Sequence, residues 1–411
     1  MLDVLRNRTF RKLFAAQVVA LVGTGLLAVA LGLLAYDLAG GSAGAVLGTA
    51  LAIKMGAYVG LAPVIAVVVA GLPKRAVLVG ADVARATVAL LLPWVSEVWQ
   101  IYVLVLILQS ASATFTPAFQ SLIPSVLTDE HQYTRGLSLS RLAYDLEAVL
   151  SPLLAAVALL FVSYSALFAG TVAGFVGSAL LVLGTSLPAL PPPDRSRPFL
   201  TRVMQGAKVM WERPVLRSLL AMNLAVAAAT GAVVVNTVVY VRDLLGSNDI
   251  GVAIALGCFG AGSMAVALTL PRLLTQVPDR VLMLGGCAVA SLGLAALSVL
   301  LFADPGRGNG WLVLGVTWLV LGAGTSLVNT PTARLLRYRT DESERSSVFT
   351  TQFSLSHACY LLTYPLAGWA GARLGHVAAA VALTLLATLA WITATRLWPA
   401  RLPATQAATT G

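Results

Sequence analysis

The chain carries one series of landmarks twice. Thr24, Gly25, Asp37, Leu38 and Gly40 recur as Thr230, Gly231, Asp243, Leu244 and Gly246, every one 206 positions on, from 24 to 230 through 40 to 246. Pro73-Lys74-Arg75 and its apolar continuation to Gly80 answer to Pro278-Asp279-Arg280 and its continuation to Gly285. Thr116-Pro117 with Thr330-Pro331, Thr128-Asp129-Glu130 with Thr340-Asp341-Glu342, and Pro152 with Pro365 keep the same order. Single matches arise by chance, but a collinear series in a very apolar chain marks a duplicated membrane bundle. With 58% hydrophobic and 11% charged residues and a mean hydropathy of +0.86, the chain has too few polar side chains to cover a soluble surface.

Apolar stretches at 12–37, 43–71, 76–95, 98–122, 135–162 and 164–187 form a first set. A second set follows at 216–241, 249–271, 280–302, 311–333, 346–371 and 376–398. Each, as a helix, is long enough to cross a hydrocarbon layer of roughly 30 Å. The expectation is an all-α integral membrane fold of twelve transmembrane helices in two pseudo-symmetric six-helix bundles. The first bundle is residues 1–188, the second 216–411, and a linker of 189–215 joins them, opened by the helix-breaking run Pro188-Ala189-Leu190-Pro191-Pro192-Pro193-Asp194-Arg195. Within it Phe199 to Trp211 has apolar residues at helical spacing, which reads either as a helix along the membrane surface or as a partly ordered connection.

The formal charge of +10 does not point to nucleic acid, because of where the basic residues fall. In the twelve-span topology Arg6, Arg8, Arg11, Lys12, Lys74, Arg75 and the Arg334/Arg337/Arg339 cluster share one side with nearly all the others. Only Arg242, Arg307 and Arg373 fall opposite. The positive-inside rule makes the populated side, with both termini, cytoplasmic, and gives the charge an affinity for anionic lipid headgroups. Cys258, Cys287 and Cys359 match neither a disulfide framework nor a zinc motif. The N-terminal basic cluster precedes a long span without an A-x-A cleavage site, which reads as a retained helix.

Ionisable side chains inside lipid-spanning helices are costly unless paired or wet, so each is a functional candidate. Lys54 lies mid-span in the second helix, and the repeat puts Ala255 at the equivalent place, so the architecture itself demands no charge there. It reads either as a charge that changes partners or as half of a static pair. On the fifth helix Arg141 and Asp145 are one turn apart and can pair, whereas Glu147 lies about 200° round from Asp145 and shares its face with Tyr144 and Ser151. Glu147 is thus the better candidate for a carboxylate that exchanges a proton as a cation such as Lys54 approaches and leaves, with a buried polar network as the alternative. Asp82 and Arg85, three apart on the third helix, read as an inner-surface pair. His357 sits in the eleventh helix near Tyr360 and Tyr364, either as a hydrogen-bonded neutral ring or as a proton or substrate group. Cys359 points to another face, so the two form no chelate, and a soft metal site of usual spacing is absent from the sequence.

Two six-helix halves, termini on the basic side, a basic loop between the second and third helices of each half and a central linker together resemble the major facilitator superfamily. Leu5-Arg6-Asn7-Arg8-Thr9-Phe10-Arg11, with Tyr144-Asp145-Leu146-Glu147, is similar to a bacterial exporter branch that includes enterobactin exporters and nickel-resistance permeases. Two departures stand out: Ala70-Gly71-Leu72-Pro73-Lys74-Arg75 lacks the acid that the family's loop carries, and the tail lacks the histidines frequent in nickel-resistance relatives. Arg141, Asp82/Arg85 and Asp279-Arg280 are the residues left to supply a conformational charge lock. The resemblance implies that the first and fourth helices of each half line a cavity, with Gln17, Gln109, Asn223, Asn236 and Asn329 among its polar residues. Gln17 and Asn223 are repeat mates, and each alternatively hydrogen-bonds between helices.

The expected function is a secondary transporter in a bacterial inner membrane, a monomer that uses membrane lipid, a small-molecule or ion substrate and protons, coupled through Glu147 or Asp145 with Lys54, but no cofactor. Export of a drug-like compound or a divalent metal such as nickel leads. Siderophore export and uptake symport are the alternatives within transport. A membrane-embedded lipid enzyme is disfavoured, since neither H-E-x-x-H nor G-x-S-x-G occurs.

Overall fold

A computed structural model of the chain describes residues 2–61, 72–127, 129–187, 199–303 and 307–398, and the statements below concern these. The proline run from Pro188 and the C-terminal tail singled out above lie outside them. The first half comprises α1 (Arg8–Ala39), α2 (Ala43–Gly56, continued by a π-helical turn Ala57–Leu61), α3 (Lys74–Leu91), α4 (Val98–Val126), α5 (Glu130–Leu159) and α6 (Tyr164–Leu183). A linker helix, Phe199–Glu212, leads to α7 (Pro214–Val239), α8 (Asp249–Gln276), α9 (Asp279–Ala303), α10 (Arg307–Arg339), α11 (Glu342–Leu374) and α12 (His376–Leu397). Successive helices alternate in direction, and the start of α1 and the end of α12 lie at one face, here the proximal face; the other is distal.

The start and end signals are local chemistry. Asn7 Oδ1 accepts from the N–H groups of Thr9 and Phe10 at 3.0 Å and so caps α1. At the far end Gly40 (φ 50°) and its repeat mate Gly246 (φ 57°) turn the chain in the left-handed region that other residues avoid. The repeated Asp-Leu-x-Gly landmark is therefore a repeated helix exit. Nine stretches among the described residues are long and apolar enough to span a membrane, and the first, Arg8–Leu61, folds back on itself as α1 and α2. Helix α11 is not among them, because Thr350, Thr351, Gln352, Ser354, Ser356 and His357 dilute its apolar content. The outer surface is apolar, with Phe161, Phe302, Leu292 and Leu268 exposed, as lipid contact requires and water does not allow.

The duplication reappears as paired hydrogen bonds. Asn7 donates to the Val126 carbonyl at the end of α4 (3.2 Å), and Arg213, before α7, donates to the Arg339 carbonyl at the end of α10. Arg75 donates to the Thr185 carbonyl just past α6, as Arg280 does to the Trp398 carbonyl just past α12 (3.2 Å). Both arginines meet the negative ends of helices, where cations are stabilising. Within each half α1 packs on α5 and α6 as α7 packs on α11 and α12. Between halves α2 packs on α11 and α5 on α8.

Candidate functional site

The halves meet chiefly near the distal face. There α2 and α11 cross almost backbone to backbone: Gly44 and Gly368 are in contact, and a Cβ on Gly48 would lie 2.6 Å from the Tyr364 carbonyl oxygen. Trp369 Nε1 donates to Thr49 Oγ1 at 2.9 Å across the same crossing. Beside it the Tyr36 hydroxyl donates to Asp243, Arg242 lies over the Tyr36 ring (4.9 Å) and pairs with Asp249. These residues form a latch between α1 and the ends of α7 and α8. None was selected from the sequence as a site, although two signals were present: Asp243 is a repeat landmark, and Arg242 is one of very few basic residues on its side.

Toward the proximal face the packing beside α2 loosens, since nothing lies within 4 Å of a Cβ on Gly56 or Gly60, and the cleft so marked begins at the level of Lys54 and Tyr58. Glu147 approaches from α5, its Oε1 3.1 Å from where a Cβ on Gly25 of α1 would stand, and Ser151 occupies the same gap. A side chain at position 25 would displace both, so the glycine makes room for the acid. Lys54 and Glu147 lie within electrostatic reach of each other, and Lys54 also acts on His357 of α11. Among the described residues no carboxylate comes within the 4.0 Å ion-pair limit of the Lys54 ammonium. His357 is fixed by its Phe353 carbonyl (Nδ1 to O 2.7 Å) and ringed by Phe353 (4.1 Å between centroids), Tyr58 (5.8 Å) and Tyr360 (6.3 Å). Tyr360 in turn contacts Tyr364 (5.1 Å) and lies near Thr230 of α7. Tyr58 lies in the π-helical turn that ends α2, a distortion common at functional sites.

The other sequence candidates are dispersed. Gln17 is buried and exchanges hydrogen bonds with Ser140 of α5 (2.8 Å from Ser140 Oγ, 3.4 Å to its carbonyl). Its repeat mate Asn223 is buried and bonds reciprocally to Gln352 of α11 (3.1 and 3.0 Å). Since Ser140 and Gln352 also correspond in the repeat, both pairs are helix clamps, and the structure puts them inside the halves. Asn236 donates to the Ala367 carbonyl (3.2 Å) and presses Oδ1 against Gly44, which puts it at the distal crossing. Gln109 is buried on α4, and Asn329 is exposed on α10. The side chains of Arg141 and Asp145 lie outside the described residues.

The lock candidates stay within single halves. Asp82 and Arg85 are buried and paired; Ser178 of α6 donates to Asp82 at 2.7 Å, and the guanidinium lies between the rings of Phe115 (4.3 Å) and Phe175 (4.5 Å). Asp279 pairs with Arg334 of α10 at 3.8 Å, whereas Arg280 serves the end of α12. Neither set bridges the two halves.

The fold is shared with several solved transporters. Over 95% of this chain and 98% of that one, the structure is similar to the nucleoside transporter NupG (TM-score 0.72, 13% identity). It is also similar to a bacterial homolog of the human lysosomal transporter Spinster in an inward-facing, unoccupied conformation (TM-score 0.74, 10% identity, 96% and 99% covered). A D-xylose–proton symporter aligns over 95% and 98% with a TM-score of 0.70 and 12% identity. No curated protein matches the chain in sequence. The family description Major Facilitator Superfamily matches residues 13–356, most of the sequence, and the chain therefore belongs to the major facilitator superfamily of membrane transporters.

Proposed function

We propose that this transporter is a proton-coupled exporter of a small toxic solute, a drug-like compound or a divalent metal such as nickel, that works as a monomer in the bacterial inner membrane with both termini cytoplasmic. The observation that carries the reading is the separation of Lys54 and Glu147: close enough to feel each other's charge, on different helices, and not joined in an ion pair. A proton on Glu147 removes its attraction for Lys54, and its loss restores it, so protonation biases the relative position of α2 and α5. Alternating access follows if tilting the halves opens the distal crossing and closes the cleft. Under the positive-inside rule the proximal face is cytoplasmic, so the state described here is open inward. Export rather than uptake rests on the motif resemblance of residues 5–11 and 144–147 to exporters.

The test is movement of labelled nickel and of a cationic dye in vesicles with an imposed pH gradient. Gradient-driven movement that Glu147→Gln abolishes supports the assignment. Movement that ignores the gradient, or that survives Glu147→Gln and Asp145→Asn together, refutes proton coupling.

A further inference from the structure

The cleft has a composition that selects one class of solute. Lys54 and Tyr58 are a turn apart on α2 and issue from one face; Phe353, His357 and Tyr360 follow one face of α11 opposite them. Tyr58 stands edge-on to Phe353 (6.4 Å between centroids) and tilted to His357 (5.8 Å), so flat, polarisable groups from both halves meet in one cluster. Phe353 is exposed, while Lys54, Tyr58, His357 and Tyr360 are half-buried. Lys54 is the cation of the group, and no carboxylate among the described residues neutralises it by direct contact.

We propose that the cleft binds a small organic monoanion with a flat unsaturated ring, its anionic group on the Lys54 ammonium and its ring among Tyr58, Phe353, His357 and Tyr360. The proposal rests on the transport function proposed above, with this cleft as its substrate site, and it narrows the solute to an organic anion in place of a divalent metal. A ring joins the aromatic cluster at the exposed Phe353 by stacked and edge-on contacts, and a single negative charge matches a single ammonium. An aromatic lining also suits organic cations, but here such a cation meets Lys54 at close range in a partly desolvated site. A polyanion brings charge that one ammonium cannot compensate. Glu147, set back against Gly25 and Ser151, remains free for the proton.

Binding to the purified full-length protein in detergent, without any gradient, tests this by calorimetry. The probes are salicylate (ring and anion), benzamide (ring only), butyrate (anion only) and tetraphenylphosphonium (ring and cation). Salicylate is expected to bind about ten-fold or more tightly than benzamide or butyrate, with Lys54→Gln costing about the same factor and Lys54→Arg retaining most of the affinity. Phe353→Ala, a change at an exposed position, is expected to weaken salicylate while leaving butyrate unchanged, and supplies the test if Lys54→Gln does not fold. Tighter binding of tetraphenylphosphonium than of salicylate overturns the proposal, as does unchanged salicylate affinity in folded Lys54→Gln or, failing that variant, in Phe353→Ala. Lys54-dependent salicylate binding without gradient-driven transport sinks proton coupling alone. Gradient-driven dye transport without salicylate binding sinks this proposal alone.

Discussion

Gly48→Ala is a change of one methyl group aimed at the crossing of α2 and α11. The added carbon would lie 2.6 Å from the Tyr364 carbonyl oxygen, 3.3 Å from its carbon and 3.4 Å from the Gly368 Cα, all backbone atoms that cannot rotate away. Restoring ordinary contact, roughly 3.4–3.5 Å, requires the helices to part by about 0.8 Å. Overpacking of this kind costs about 1–3 kcal/mol, and the strain exists only while the distal face is shut. The ratio of distal-closed to distal-open molecules should fall by a factor of about 5 to 150. Alanine also improves helix propensity over glycine, but it does so in both states and cancels from the ratio. Gly56→Ala on the same helix is the control, since nothing lies within 4 Å of a Cβ there. The assay is the distance distribution between spin labels at Ser42→Cys and Leu374→Cys, both exposed at the distal face, after replacing Cys258, Cys287 and Cys359 with alanine. An unchanged distribution in Gly48→Ala, or an equal shift in Gly56→Ala, refutes the argument that this contact holds the face closed.

Two further substitutions probe the other polar clusters. Arg85→Gln strands the buried Asp82 carboxylate with Ser178 as its partner, and detergent stability should fall by about 3–5 kcal/mol, seen as a lowered melting temperature that Asp82→Asn partly restores; a melting temperature equal to the wild type's would show that the pair contributes nothing. Tyr36→Phe removes one hydrogen bond from the latch, worth about 1 kcal/mol, so maleimide labelling at Ala43→Cys, a buried position next to the latch, should accelerate about five-fold. Unaltered labelling would remove Tyr36 from the latch.

Much of the scaffold was legible in the sequence because lipid imposes long apolar helices and duplication imposes a register. The hydrogen-bonded mates at Asn7/Arg213 and Arg75/Arg280 fall where the collinear landmarks put them. Polar residues on α1 and α7 were harder to read. A glutamine or asparagine on a helix face looks the same whether water or a neighbouring helix lies opposite, so Gln17 and Asn223 gave no sign of Ser140 and Gln352 by themselves. Only the coincidence of two repeat displacements, one for each partner, carried that information. Lys54 and Glu147 stood out because charge in an apolar span is conspicuous. Tyr58 did not, since a tyrosine in such a span is compatible with an interfacial anchor or a packing residue, and its tertiary neighbours on α11 are nearly 300 positions away.

The bonds from Asn7, Arg75, Arg213 and Arg280 to helix-end carbonyls all begin and finish on the same side of the molecule's midline. A tilt of one half against the other would leave every one of them unstretched and would load the seam between the halves instead, the glycine crossing of α2 with α11 and the packing of α5 on α8. Turnover speed in such a machine is adjustable at that seam, one residue at a time, with the architecture on either side left undisturbed.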